Sequence, residues 1–320
     1  MQNPSTILSQ RQSVPVAAGL GLALLAVSSA ALFIKFAQGA GIPSLAIAAY
    51  RLAIAVLVIS PWVLWHHRAE LRALTRRQLG LALGAGVFLG LHFATWISSL
   101  DYTSVASSTV LVTTSPLIVG LLSPIFLREP LTRKLLVGIL IATTGALIIG
   151  LWDSCQWQNG LVCQSLDDLF QGRAFIGNAL AFAGAVAVAF YLMIGRSLRA
   201  GLTLNVYIWL VYGAAAVALL VGALLLRTPL TGFSPIGLLW LVLLALVPQL
   251  VGHSLFNWAL RYVPASVVSV VTLGEPIFAT LLVFLLLGEQ PNAGTLVGGV
   301  LILAGIFIAT YQPTPRMKTA

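Results

Sequence analysis

The chain has 320 residues, of which 59% are hydrophobic and 8% charged, with a mean hydropathy of +1.00. A water-soluble domain carries about 25% charged residues and could not hide that much apolar surface. A net charge of +9 and an isoelectric point near 10.2 would suggest nucleic-acid binding in a soluble protein, but here they bear on membrane orientation, and no nucleic-acid partner is expected.

Apolar stretches of about 17–25 residues, long enough to cross a hydrocarbon core as helices, recur along the whole chain. In order, the predicted spans are 14–36, 44–65, 80–100, 104–126, 134–151, 173–194, 204–226, 235–259, 264–287 and 293–311. The N-terminal MQNPSTILSQRQS lacks the basic start and small-residue cleavage site of a signal peptide, so the first apolar run is read as a span. With the N-terminus in the cytoplasm, the inside segments collect most of the 17 Lys and Arg, among them Arg68, Arg72, Arg76, Arg77, Arg128, Arg133, Lys134, Arg196, Arg199 and Arg261. The positive-inside rule therefore supports ten spans with both termini cytoplasmic, in the inner (plasma) membrane of a bacterium. The longest hydrophilic loop then lies outside and holds both cysteines, Cys155 and Cys163, either as a disulfide or as two thiols. Without histidines nearby they form no metal site.

A shift of 160 residues brings Leu100, Tyr102, Pro116, Leu127, Glu129, Gly138 and Gly145 onto Leu260, Tyr262, Pro276, Leu287, Glu289, Gly298 and Gly305. Spans three to five thus pair with spans eight to ten, and since each half has an odd number of helices, the second half enters upside down. The expected fold is all-α integral membrane, ten transmembrane helices as two inverted five-helix repeats. The expected divisions are a first repeat over 14–151, an external linker over 152–172, a second repeat over 173–311 and a cytoplasmic tail over 312–320. Secondary transporters recurrently use this plan, with substrate near the midplane between the repeats.

Two segments, LDYTSVASSTVLVTTSPLIVGLLSPIFLREPL and LRYVPASVVSVVTLGEPIFATLLVFLLLGEQP, each combine an LxY turn, a small-residue helix, a mid-helix proline and a terminal glutamate. In these features the chain resembles the ten-helix EamA-type transporters of the drug/metabolite transporter superfamily, over about 15–150 and 173–311. It departs from the usual pattern in the LREPL of the first half and in its long central loop. The resemblance implies a carrier of amino acids, nucleosides, amines or similar metabolites, often an exporter.

An ionisable group at a span centre costs about 2.5–3.5 kcal/mol on insertion scales, so such groups mark candidate sites. Glu275 lies near the middle of the ninth span and is a candidate for proton coupling or for binding a substrate amine; the alternative is a protonated acid bonded to a neighbouring helix. Pro276 follows it, and with no N–H to give, breaks the helix there; Pro116 is its counterpart, preceded by Ser115. Arg51 could pair a substrate carboxylate or Glu275, or snorkel to headgroups. His92 and His253 could relay protons or bond helix to helix, and Trp96, Trp258 and Asn257 on the same spans could line a cavity. Lys35 is read as an interfacial anchor. Glu129 and Glu289 close equivalent helices and are read as gate or turn residues, with Arg128 and Arg133 as candidate partners inside.

No HExxH, GxSxG or GxxxxGK[ST] pattern occurs, so neither an enzyme nor an ATP-driven pump is expected, and no cofactor or metal. The expected partners are a small-molecule substrate, the lipid bilayer and protons, in a monomer or homodimer. A passive channel or facilitator is the alternative, with an intramembrane enzyme less favoured.

Overall fold

Backbone amides in an apolar stretch find no side-chain partners, and a helix satisfies them within the stretch; the chain is accordingly a helical bundle. The computed structural model describes residues 4–103, 108, 111–153, 155–157, 161–163, 172–287 and 293–310. The first half holds α1 (Pro4–Ser28), α2 (Ala30–Gly39), α3 (Ser44–His66), the short α4 (Arg68–Arg72), α5 (Arg76–Ser99), α6 (Ser115–Phe126) and α7 (Arg133–Asp153). A small antiparallel hairpin follows, β1 (Cys155–Trp157) with β2 (Leu161–Cys163), an addition to the expected all-α plan. The second half holds α8 (Gly172–Arg199), α9 (Leu204–Leu225), α10 (Pro235–Leu244), a π-helical segment Ala245–His253, α11 (Ser254–Ala259), α12 (Ala265–Thr272), α13 (Glu275–Leu287) and α14 (Ala293–Thr310).

Local chemistry fixes the ends. Thr75 and Gln78 form a reciprocal capping box at the start of α5. Ser234 accepts from the Gly237 amide ahead of Pro235 at α10. Gly41, at φ 79°, supplies the left-handed residue that turns the chain from α2 into α3.

Six helices among the described residues are long and apolar enough to cross a membrane, counting Pro15–Gly39 and Pro235–Ala259 as single spans, and shorter apolar helices accompany them. Large side chains stand exposed around the bundle, among them Leu57, Trp65, Ile125, Leu225 and Phe307. Water would penalise such a surface, and lipid tails suit it. Four predicted spans that the sequence presents as continuous are interrupted: the first at Ser29, the fourth at Thr113–Thr114, the eighth by the π-helical segment and the ninth at Leu273–Gly274.

Each end of the bundle is tied by hydrogen bonds. At the arginine-rich end, Glu70 accepts from the Thr203 amide and hydroxyl at the start of α9, and Glu129 pairs with Arg196 at the end of α8. At the other end the Ser44 hydroxyl donates to Asp101 at 2.8 Å, and the Tyr50 hydroxyl donates to the Leu230 carbonyl at 2.6 Å. The two ends are those that the charge distribution assigned to opposite sides.

Glycines bring the backbones of α7 and α14 close together. A Cβ at Gly145 would lie 2.5 Å from the Gly298 carbonyl oxygen, and one at Gly138 2.7 Å from that of Gly305. The 160-residue offset carries Gly138 to Gly298 and Gly145 to Gly305, so it exchanges the two contacts. Helix propensity alone favours alanine over glycine by about 0.5–1 kcal/mol. Gly145→Ala should nevertheless lower the unfolding temperature in detergent, because overpacking costs about 1–3 kcal/mol, whereas Gly80→Ala, with nothing within 4 Å of its Cβ position, should raise it or leave it unchanged.

Candidate functional site

The helix interruptions converge on one cavity. Its wall includes Val27 and Ala30 on either side of the α1–α2 bend, Thr113 and Ser115 at the break before α6, His253 from the π-helical segment, and Thr272 and Glu275 across the break between α12 and α13. The remaining wall comes from Arg51 on α3, His92, Phe93 and Trp96 on α5, Val112 before the α6 break, Val188, Tyr191 and Leu192 on α8, and Phe256 on α11. The cavity is partly open, and together with its mouth encloses about 710 Å³ of empty space. Irregular backbone at membrane depth is tolerated where it lines a cavity, and here the two coincide.

Five of the predicted residues, Arg51, His92, Trp96, His253 and Glu275, face this common space. Arg51 has no exposed surface, so it is not a snorkelling anchor. Its Nε donates to Gln249 Oε1 at 2.7 Å, and the Phe93 ring covers the guanidinium at 4.0 Å. Nη1 and Nη2 are buried without an acceptor. Glu275 heads α13 and is partly buried, and no ion pair joins it to Arg51 among the described side chains.

The His92 ring donates from Nδ1 to the Gly184 carbonyl at 3.0 Å, the helix-to-helix bond considered from the sequence. It also stacks on Trp96 at 5.9 Å with the rings 10° from parallel, while His253 meets Phe93 edge-on. The Trp96 Nε1 donor is buried and unpartnered.

Asn257 does not reach the cavity wall but lies behind it. The Tyr191 hydroxyl donates to its Oδ1 at 2.7 Å, and its Nδ2 donates to the Tyr212 hydroxyl at 3.3 Å. Trp258 does not line the cavity: its ring packs over Gly19 and against Tyr262 at 5.0 Å. Lys35 is exposed on α2, away from the cavity. Pro116 and Pro276 stand second in α6 and α13, each just after a break. Tyr191, Tyr212 and Gln249 were not singled out from the sequence; the polarity of Gln249 within an apolar span is the signal that could have found it.

Glu129 makes a larger contact than the sequence suggested, and its partner is Arg196 rather than Arg128 or Arg133. Arg196 Nε donates to Glu129 Oε1 at 2.6 Å and Nη1 donates to the Leu260 carbonyl, while the Ala265 amide donates to Glu129 Oε2 at 3.2 Å. The turn after α6 is thereby tied to the α11–α12 turn. Glu289 and the 312–320 tail lie outside the described residues, as do most of the 152–172 linker and the side chains of Cys155 and Cys163, although the hairpin register sets these two cysteines directly opposite each other.

The sequence profile of the EamA-like transporter family matches residues 17–151 and 175–311. An uncharacterized transporter of Archaeoglobus fulgidus is 22% identical over 83% of this chain and 87% of its own length. The uncharacterized transporter YetK of Bacillus subtilis is 26% identical over 75% and 70%, and a WAT1-related protein of Arabidopsis thaliana is 24% identical over 89% and 83%. A solved crystal structure superposes with a TM-score of 0.71 at 18% identity, covering 92% of this chain and 97% of the other, a likeness of fold.

Removing the Asn257 amide should leave the Tyr191 hydroxyl without its acceptor inside the bundle. Asn257→Ala is expected to cost about 1–3 kcal/mol, read as a lower unfolding temperature in detergent, and Tyr191→Phe, which removes the donor instead, should cost less.

Proposed function

The chain belongs to the EamA-like transporter family within the drug/metabolite transporter superfamily, and from that premise we propose that it is a secondary carrier, moving a small metabolite through the plasma membrane by alternating access to the Arg51–Glu275 cavity. The observation that carries this reading is the convergence of four backbone interruptions and two charged side chains on one cavity. Broken helices meeting at a central site are how carriers place polar backbone and charge at membrane depth.

In this reading the membrane fold is ten spans in two inverted five-helix repeats, 14–151 and 173–311, with both termini cytoplasmic. The exchanged glycine contacts between α7 and α14 support it. So does a second pair of packings: Gly184 of α8 lies against the His92 carbonyl of α5, and Gly252 of the π-helical segment lies against α1 at Ala23 and Val27. The offset takes Gly184 and His92 to Leu24 and Gly252, the centre of that second packing. The opposed cysteine positions in the hairpin support a disulfide in the external linker. The transported species is an amino acid, amine, nucleoside or similar metabolite, moved outward. Its energy comes from a gradient, with Glu275 carrying the coupled proton. The reaction is transport and not catalysis, and needs no cofactor.

The contacts of Glu129 support a gating role. At the arginine-rich end it holds a turn of the first half against a turn of the second, and alternating access requires that tie to break. In a double-mutant cycle, Glu129→Gln and Arg196→Gln should be non-additive by about 0.5–3 kcal/mol, measured by unfolding in detergent, with each single variant shifting the affinity for substrate presented from the cytoplasmic side.

The decisive test is flux. In proteoliposomes with an imposed pH gradient, labelled amino acids, amines and nucleosides should include a species that accumulates saturably, and Glu275→Gln should abolish gradient-driven accumulation while leaving exchange. Flux without saturation would make the protein a channel or facilitator instead.

A further inference from the structure

Among the described residues, the buried side-chain nitrogens without a hydrogen-bond partner are Arg51 Nη1 and Nη2 and Trp96 Nε1, on two residues of the cavity wall, and Nε2 of Gln249, which is bonded to Arg51; the hydroxyls of Ser123, Thr143 and Tyr207 also lack a partner but lie outside the wall. Every one of these nitrogens is a donor. An unpaired donor in the interior is costly, more so when charged, and a charged fork and an indole N–H sharing the same deficit in one cavity wall describe a ligand that supplies acceptors. We infer that the cavity takes a carboxylate monoanion, gripped by the Arg51 fork with Trp96 Nε1 as an additional donor; this rests on the carrier reading of the same cavity and narrows its substrate class.

The geometry around Arg51 favours that class. Its Nε edge is occupied by Gln249, and one face of its plane is covered by Phe93. What remains is the edge carrying Nη1 and Nη2, whose two parallel donors match the two oxygens of a carboxylate. Trp96 is held by its stack on His92, which is in turn bonded to the Gly184 carbonyl, so the indole donor has a fixed place. Gln249 is set by its own neighbours, since its backbone carbonyl accepts from Ser254 and lies 3.5 Å from the Tyr212 hydroxyl.

Charge selects a monoanion. Arg51 is the sole Arg or Lys in the described cavity wall, where Glu275, His92, His253 and Tyr191 are the other titratable groups. A phosphate dianion would bring more negative charge than one guanidinium balances, in a bundle where uncompensated charge is expensive. An amine would leave all the donors unmet. Were Arg51 only a counter-ion for Glu275, an ion pair would be the expected arrangement, and none joins them.

The test is binding, separate from flux. The full-length protein, labelled with 5-fluorotryptophan and reconstituted in nanodiscs, gives a fluorine resonance for Trp96 assigned by its loss in Trp96→Phe. Formate and acetate should shift that resonance saturably, whereas formamide, acetamide, methylammonium and inorganic phosphate should not. The shift should be lost in Arg51→Gln and need higher formate in Arg51→Lys, with the other tryptophan resonances in place to show that both variants are folded. No saturable shift with either carboxylate, an equal shift with the amides or with phosphate, or a shift retained in Arg51→Gln would each overturn the assignment. Carboxylate binding without saturable flux of any carboxylate would leave the anion site standing and remove the carrier.

Discussion

A guanidinium sealed inside an apolar bundle must be surrounded by acceptors or it destabilises whatever encloses it. Arg51 is, with Arg199, one of the two largest fully buried side chains among the described residues, and only one of its three nitrogens has an acceptor there. The polar features of the interior are arranged around that deficit. Gln249 faces Arg51 from a π-helical segment; Tyr212, Ser254, Asn257 and Tyr191 form a chain of hydrogen bonds behind it; and Phe93 lays its ring over the cation. The scaffold positions the charge firmly beside the cavity and gives Nη1 and Nη2 no acceptor among the described residues.

The helix interruptions follow from the same demand. An unbroken helix presents only side chains to its neighbours, whereas a break exposes backbone donors and acceptors that need polar surroundings. Pro116 and Pro276 account for two of the breaks, since neither can donate to the preceding turn. Pro248 lies within the π-helical segment, whose wider turn carries both Gln249 and His253 inward. Away from the cavity, glycines seat α7 directly against α14. Lipid offers no hydrophobic drive for helices to associate, so close van der Waals fit has to supply it. The bundle is thus tightly packed at that seam and irregular at its centre.

How much of this could be read from the sequence depends on how each feature is encoded. Arg51, His92, His253 and Glu275 stood out because charge or imidazole inside an apolar span is costly whatever the fold, and all four reach the cavity. The break beside Glu275 was legible in Pro276. Trp258 was grouped with the cavity because it shares a span with His253, but sharing a span does not fix the face, and on α11 its ring packs over Gly19 and against Tyr262. Gln249 and Tyr191 were passed over because a neutral amide or hydroxyl is a weaker signal than a charge. The partner of Glu129 lay beyond sequence reasoning altogether, for Arg196 is 67 positions away, and only the packed bundle brings them to 2.6 Å.

The two halves also differ where function would require them to differ. The offset that superposes their glycines, prolines and helix ends places Ser115 opposite Glu275, and Val211 opposite Arg51. Scaffold positions are duplicated while the charges are single. In the proposed carrier, symmetry in the framework would let one half adopt the other's conformation, as exchange between two openings demands. Asymmetry in the charges gives the described cavity wall one arginine and one glutamate, which in the proposed carrier would orient a bound molecule. A single copy of each charge, set in a doubled scaffold, is the arrangement that keeps both the exchange and the orientation.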